Sequence, residues 1–355
     1  MRPLLLLLVA VTAFAADPAA KLRIYELGAP GADKLSDLPA RYADAMSMGY
    51  TAEMPNPVFR LSNLAFLPAE RSERLDLYVP YARDFKVRRP GVLFIHGGGF
   101  TAGDKAEFRS ASVSADLARA GYVVVSCNYV LGAKDKPGVW PRNIADCRDA
   151  VRWMRANADL LGLDPARIAV AGGSAGGYLA LMVGLSDDKT GPGGDLSAKH
   201  SAKVSAVIDM YGVVNFSKHG KGDVPGVSAE GQAAYLPENQ CDETDPPVLI
   251  FHGTDDKIVD IAQSQSLAAA LSRAKTRYEF VTVEGAPHTF DLRPRSLQWS
   301  RVAERWSLSG RTVRREHFQH YPGPLLPGVS TEDVLHSRPG ILEGIVRDFL
   351  AEALR

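Results

Sequence analysis

The stretch Val170-Ala171-Gly172-Gly173-Ser174-Ala175-Gly176-Gly177 constrains this chain more than any other. It joins an apolar run, Arg167 to Ala171, to an apolar helix-like run, Tyr178 to Val183. A G-x-S-x-G match between a strand and a helix demands small flanks. The turn is so tight that a side chain at either glycine would collide with the strand or the helix. The central residue of such a turn is strained. Ser174 is therefore expected at the mouth of a sheet and at a helix N-terminus, whose N–H groups favour developing negative charge. Taken alone, the segment also fits an ordinary glycine-rich loop.

A second motif narrows the choice. Gly91-Val92-Leu93-Phe94-Ile95 reads as a buried strand and runs straight into His96-Gly97-Gly98-Gly99-Phe100. A carbonyl attacked by a hydroxyl becomes an oxyanion, and backbone N–H groups stabilise it only where no side chain intervenes. Three glycines after a strand supply that access, and the N–H of Ala175, next after the serine, completes the hole. A nucleotide-binding loop is disfavoured, because there is neither G-x-G-x-x-G nor the Lys-Ser/Thr of a phosphate loop.

An acid and a histidine are expected to follow in that order. Pro246 to Gly253 reads as a strand leaving a turn, followed by Thr254-Asp255-Asp256-Lys257-Ile258-Val259, where two adjacent aspartates compete for the acid role. A helix-period segment (Ile261 to Ala274) and a strand (Tyr278 to Val283) lead to Glu284-Gly285-Ala286-Pro287-His288-Thr289-Phe290. Acid and histidine then sit beyond the carboxyl ends of neighbouring parallel strands. The carboxylate would fix the imidazole tautomer, and the imidazole would take the serine proton.

The HGGGF, GGSAGG, HGTDDKIV and GAPHTF segments together resemble the α/β-hydrolase superfamily, and within it small esterases. Their order covers about residues 58 to 292, and the chain is most similar to the bacterial feruloyl/acetyl-xylan esterase-like branch related to hormone-sensitive lipase. The resemblance implies an α/β-hydrolase fold, an eight-stranded mostly parallel sheet with helices on both faces. It also implies Asp256 rather than Asp255 as the acid, since the family uses the second aspartate of HGxxD. The oxyanion donors map onto Gly98 and Gly99, with Gly97 the lesser partner. Ile208-Asp209-Met210-Tyr211-Gly212 resembles the family's sixth-strand ending. One departure stands out: Gly173 precedes the serine where relatives of hormone-sensitive lipase usually carry an acid. That favours the carbohydrate-esterase branch.

Composition agrees. A chain of 355 residues with 46% hydrophobic content can bury a large core as one α/β domain. Its formal net charge is +0, which points to neither nucleic acid nor a membrane surface as partner. Strand-like runs near Val58–Leu61, Arg74–Val79, Val92–Ile95, Tyr122–Cys127, Arg167–Ala171, Val204–Met210, Val248–Phe251 and Tyr278–Val283 alternate with helical segments, as in a parallel sheet covered on both sides.

Residues 1–15 read as a signal peptide: Met1-Arg2, an apolar core from Leu4 to Val11 too short to span a bilayer, and the A-x-A site Ala13-Phe14-Ala15. No cysteine lies near the cleavage point, so a lipid anchor is disfavoured, and a secreted or periplasmic location follows. Cys127, Cys147 and Cys241 leave at least one thiol unpaired; no structural disulfide is expected, and Cys241 is expected to be the most exposed.

Two regions lie outside the recognisable core. Residues 16–57 form an N-terminal extension whose segment Ser36 to Met48 has helical spacing; it either caps the site or packs against the sheet edge. An insertion at about 293–339 separates His288 from a final amphipathic helix, Ile341 to Leu354, within the domain 58–355. Trp299 and Trp306 stand one heptad apart there, which predicts a helix with one apolar face. Because the insertion leaves on the side of the site, these two tryptophans, with Phe100, are the expected substrate-binding residues; packing the insertion's own face is the other reading. His317 and His320 have i, i+3 spacing without a matched carboxylate or cysteine, so no metal site is expected.

These readings combine into a serine carboxylic-ester hydrolase. Ser174 attacks, His288 acts as base and then acid, Asp256 orients His288, and Gly98, Gly99 and Ala175 hold the oxyanion. The mechanism needs no cofactor. The resemblance implies short-chain acyl, acetyl or feruloyl esters, small or linked to polysaccharide. A serine peptidase and an aryl formamidase of the same fold share these residues. A non-catalytic binding protein would be expected to have lost a triad member, and none is lost.

Overall fold

Long apolar runs bounded by Gly, Pro and Asp make strands that are buried on both faces, and such strands pair in parallel beneath helices. The structure, a computed structural model, describes residues 24–26, 35, 38, 58–80, 87–133, 139–186, 199–217, 222–283, 285–289, 306–308, 311–313, 318–322 and 341–355. The strands are β1 (Ile24–Glu26), β2 (Val58–Leu64), β3 (Leu75–Pro80), β4 (Arg89–Ile95), β5 (Val123–Cys127), β6 (Leu163–Gly173), β7 (Ala206–Met210), β8 (Val248–Gly253), β9 (Tyr278–Val283), β10 (Trp306–Leu308), β11 (Arg311–Val313) and β12 (Phe318–Pro322). The helices are α1 (Phe108–Arg119), α2 (Arg142–Ala156), α3 (Ala158–Leu161), α4 (Ala175–Leu185), α5 (Ala262–Ala274) and α6 (Ile341–Ala353).

All eight anticipated strands form, as β2 to β9. They lie in a sheet of order β1-β2-β3-β5-β4-β6-β7-β8-β9-β12, in which β5 to β9 run parallel and β3 is antiparallel to both its neighbours. Two short strands extend the sheet beyond the expected eight. β1 pairs in parallel with β2, and β12 closes the far edge antiparallel to β9.

Alternation along each central strand divides the core in two. Leu93, Ile95, Val123, Val125, Val170, Val207 and Ile250 pack with Ile144 and Val151 of α2, Leu179 and Met182 of α4, and Leu267 and Leu271 of α5. The intervening residues Val92, Phe94, Val124, Ala169, Ile208 and Phe251 pack with Val113 and Leu117 of α1 and with Val346, Phe349 and Leu350 of α6. The helix α4 is apolar all round, and each of its residues is buried, as a helix at the centre of a layer must be. Leu38 of the N-terminal extension is buried in the first of these clusters and Leu35 packs against it; the rest of the Ser36–Met48 helix reading, and the segment 1–15, lie outside the described residues.

The insertion departs from expectation. Trp306 opens β10, whose partner β11 sets Trp306 opposite Val313 in a two-stranded antiparallel ribbon. Trp306 is therefore not helical as its heptad spacing from Trp299 suggested: extended pairing supplies its backbone hydrogen bonds, and a seven-residue interval is equally open to strands or turns. Trp299 lies outside the described residues.

The three cysteines are free thiols. Cys127 and Cys147 are buried in the core, and burial pushes the Cys147 thiol up from its ordinary value. Cys241 is half-buried rather than open: it packs against the core and lies 3.5 Å from the carbonyl oxygen of Pro237, and burial raises its thiol to about 12.

Candidate active site

Every residue singled out for chemistry, apart from the two tryptophans, lies at the carboxyl end of the parallel strands, where the backbone must turn out of the sheet. Ser174 follows β6 directly and caps α4 with φ 58° and ψ −123°. A non-glycine residue in that conformation is strained, and the surroundings hold it there. Its N–H donates to Met210 O at 2.9 Å, and its carbonyl accepts the N–H of Tyr178 at 3.1 Å. Gly172 and Gly176 make the turn possible: a Cβ on either would overlap backbone, of Gly176 and of Ile95 respectively. The elbow thus brings the end of β6, the start of α4 and the end of β4 within van der Waals distance.

His288 enters from the loop after β9. Its Nε2 lies 3.0 Å from Ser174 Oγ and its Nδ1 lies 2.6 Å from Asp256 Oδ2. The two loops are laced together: Asp255 N–H donates to Ala286 O at 3.0 Å, Thr254 N–H to Val283 O at 3.0 Å, and Gly285 N–H to Thr254 Oγ1 at 2.8 Å. The Tyr211 ring packs edge-to-face with the His288 imidazole, with ring centres 4.8 Å apart.

The two aspartates separate cleanly in space. Asp256 is buried, and its Oδ1 accepts the N–H groups of Ile258 at 2.8 Å and Val259 at 2.9 Å. Burial favours the neutral acid, but hydrogen bonds from His252, His288 and those two backbone groups outweigh it and hold the carboxyl well below its ordinary range. Asp255 is exposed and pairs with Lys257 at 2.8 Å. An ionised Asp256 makes His288 Nδ1 the donor, which leaves Nε2 as an acceptor for the hydroxyl of Ser174.

Gly97, Gly98 and Gly99 follow β4. Gly98 has φ +109°, a region closed to side chains, and its carbonyl accepts the N–H of Ala102 at 3.0 Å. Gly98 and Gly99 are exposed while Gly97 is buried against the elbow, where a Cβ would stand 3.5 Å from Ser174 Cβ. The loop is tied down by Lys105, whose buried ammonium pairs with Asp76 at 2.9 Å and whose carbonyl accepts Ser126 Oγ–H at 2.9 Å. Ala175 is buried at the first turn of α4.

Phe100 is not open to solvent. Its ring sits among Trp140, Tyr178 and Phe216 at centroid distances of 4.9, 5.3 and 5.8 Å. Tyr178 Oη joins this cluster to the surface layer, accepting Trp140 Nε1–H at 3.0 Å and donating to Tyr235 O at 2.9 Å.

Residue patterns did not single out His252, Tyr211 or Arg109, all of which surround the site. His252 Nε2 lies 2.9 Å from Val259 O and 3.4 Å from Asp256 Oδ2, while its Nδ1 lies 2.7 Å from Ser264 Oγ. A carbonyl only accepts, so Nε2 carries the hydrogen and Nδ1 accepts from the serine. The signal for His252 was its place in the HGTDD segment, at the last turn of a buried strand. Arg109, a charge in the first turn of α1 with no motif around it, carried no comparable mark.

Residues 75–271 match the family model BD-FAE. Among curated proteins the chain is similar to esterase LipC of Mycobacterium tuberculosis, 29% identical over 57% of this chain and 53% of that protein. It is also similar to esterase LipQ of the same organism, 28% identical over 65% of this chain and 57% of that protein. The chain thus spans only a little over half the length of these relatives. Among solved structures it is similar to Thermogutta terrifontis esterase 2, at 30% identity and TM-score 0.58, over 67% of this chain and 88% of that one. Other structures of that esterase hold propionate or butyrate. A truncated carbohydrate esterase from gut microbiota is 26% identical, with TM-score 0.55, over 64% of this chain and 88% of that one.

Proposed function

Because the chain belongs to the BD-FAE family and has the α/β-hydrolase fold of its esterase neighbours, we propose that it is a serine carboxylic-ester hydrolase. The observation that carries this reading is the unbroken series from Ser174 Oγ through His288 to Asp256, at 3.0 and 2.6 Å, on a strained elbow. Ser174 attacks the acyl carbonyl while His288 Nε2 takes its proton. Asp256 stabilises the imidazolium without becoming protonated itself. The N–H groups of Gly98, Gly99 and Ala175 receive the developing oxyanion, and His288 then protonates the leaving alcohol. Water, activated by the same imidazole, releases the acid from Ser174.

Short acyl groups are the proposed substrates, either as small esters or as acetyl or feruloyl groups on polysaccharide. Propionate and butyrate in the Thermogutta terrifontis esterase, and the carbohydrate esterase among the neighbours, support that choice. Export through residues 1–15 is proposed on the charge and apolar pattern of that segment. An expressed chain whose N-terminus begins near Ala16 would support it, and an intact Met1 would count against it.

The direct test is titration with a fluorophosphonate alongside hydrolysis of aryl esters of graded acyl length, acetylated xylan and feruloylated xylan. Stoichiometric labelling of Ser174 with turnover that falls as the acyl chain lengthens is expected. Labelling without turnover of any ester would sink the esterase reading.

A further inference from the structure

Burying a guanidinium costs free energy unless the protein answers its charge. Arg109, in the first turn of α1, is only 4% exposed. Its Cζ lies 5.2 Å from the ring centre of Tyr211 and 5.9 Å from that of Phe94, and its Nη2 lies 4.0 Å from Met210 Sδ. Two aromatic faces and a polarisable sulfur favour a cation and hold it in place. Glu107 lies nearby: burial raises its carboxyl above the ordinary range, and the charge of Arg109 opposes that rise.

The guanidinium also lies against the backbone beside Ser174. A Cβ on Gly173 would overlap Nη2, so no larger residue fits before the serine while Arg109 keeps its place. A Cβ on Gly97 would stand 3.7 Å from Nη1 and 3.5 Å from Ser174 Cβ, so the cation and the serine flank the same spot. Met210 O receives the N–H of Ser174 at 2.9 Å, and Tyr211, over which the guanidinium lies, packs on His288. One side chain therefore packs on the elbow and on the strand end that supports it, and lies close to Gly97 of the glycine run.

We propose that Arg109 is a positioning residue for the reaction at Ser174, bracing the Gly97 and Gly173 backbone and setting a fixed positive charge behind the oxyanion. This rests on the ester-hydrolase reading above. A charge held in a water-poor site acts on developing negative charge with no reorganisation during the reaction, and it acts more strongly there than in water. Substrate and free enzyme carry no oxyanion, so the effect falls on kcat rather than KM. The same geometry accounts for the glycine before the serine: the space that an acidic side chain at position 173 would occupy is filled by the guanidinium.

Arg109→Lys keeps the charge, whereas Arg109→Met and Arg109→Gln remove it at similar volume. With p-nitrophenyl acetate, the neutral variants should lose on the order of 10- to 100-fold in kcat with KM within about threefold, while Arg109→Lys stays within about fivefold of the parent. Labelling by a fluorophosphonate should slow in parallel, because its phosphoryl oxygen enters the same hole. A neutral variant that keeps kcat within about threefold overturns the proposal, as does a lysine variant that falls as far as the neutral ones. If the neutral variants fail to accumulate as folded protein, an Arg109→Lys variant that loses about 10-fold or more in kcat overturns the proposal, and one within about fivefold whose fluorophosphonate labelling also stays within about fivefold supports it. Loss of turnover in the parent enzyme would instead defeat the ester-hydrolase reading.

Discussion

His252 Nε2 stands 3.4 Å from Asp256 Oδ2, the same oxygen that lies 2.6 Å from His288 Nδ1. Asp256 thus faces two imidazoles, one held on Val259 O and Ser264 Oγ and the other directed at Ser174. A carboxylate held by four donors has little freedom to rotate, and His288 inherits that rigidity. Asp256→Asn should cost about 10³- to 10⁴-fold in kcat, because an amide favours the wrong tautomer of His288. Asp255→Asn, at an exposed residue paired with Lys257, should change kcat less than about threefold. Steady-state kinetics on both variants decides, and equal losses would place the acid elsewhere.

Ser174→Ala should remove turnover by roughly 10⁴- to 10⁶-fold, leaving the small rate that the oxyanion hole and binding provide. Fluorophosphonate labelling should disappear with it. A variant with a normal kcat would show that the reaction proceeds at another residue.

Asp209 provides a pH-dependent test of stability. It is fully buried; burial raises its carboxyl to about 7, with the nearby His252 and the N–H of Gly212 opposing the rise. Its Oδ2 has no hydrogen-bond partner among the described residues. A carboxyl whose pKa is higher in the folded chain than in the unfolded chain stabilises the fold while protonated in both. That contribution is full below the unfolded value, near 3.8, and is lost as pH rises through about 7. Asp256, held low, works in the opposite sense but only below its ordinary value. In urea unfolding, the stability of the parent relative to Asp209→Asn should therefore fall between pH 4 and pH 8, by at most roughly 4 kcal/mol from this group. A difference that stays constant with pH would show that Asp209 is ionised without penalty.

Tyr178→Phe tests the aromatic cluster beside the elbow. Removing the hydroxyl leaves Trp140 Nε1–H and Tyr235 O unpaired, while the ring contacts with Phe100 and Phe216 remain. The expected loss is about 1–3 kcal/mol in denaturant unfolding. No loss would mean that water replaces both partners.

Much of this molecule can be read along the chain. The eight central strands, the elbow at Ser174 and the glycine run after Ile95 each depend on residues within a few positions of one another. Strand runs show as apolar stretches, and tight turns show as glycines that no side chain can replace. Tertiary structure decided what depends on groups far apart. Residues alone left Asp255 and Asp256 equivalent, and the lacing of the β8 and β9 loops turned one inward and the other to solvent. The helix expected at Trp306 gave way to strands, and β12, from the same insertion, pairs with β9, because a backbone partner distant in sequence leaves no local periodicity. Arg109 shows the same limit most sharply: only folding brings α1 beneath the elbow, so that a charge with no motif around it comes to lie against Gly173, with Tyr211 between it and His288.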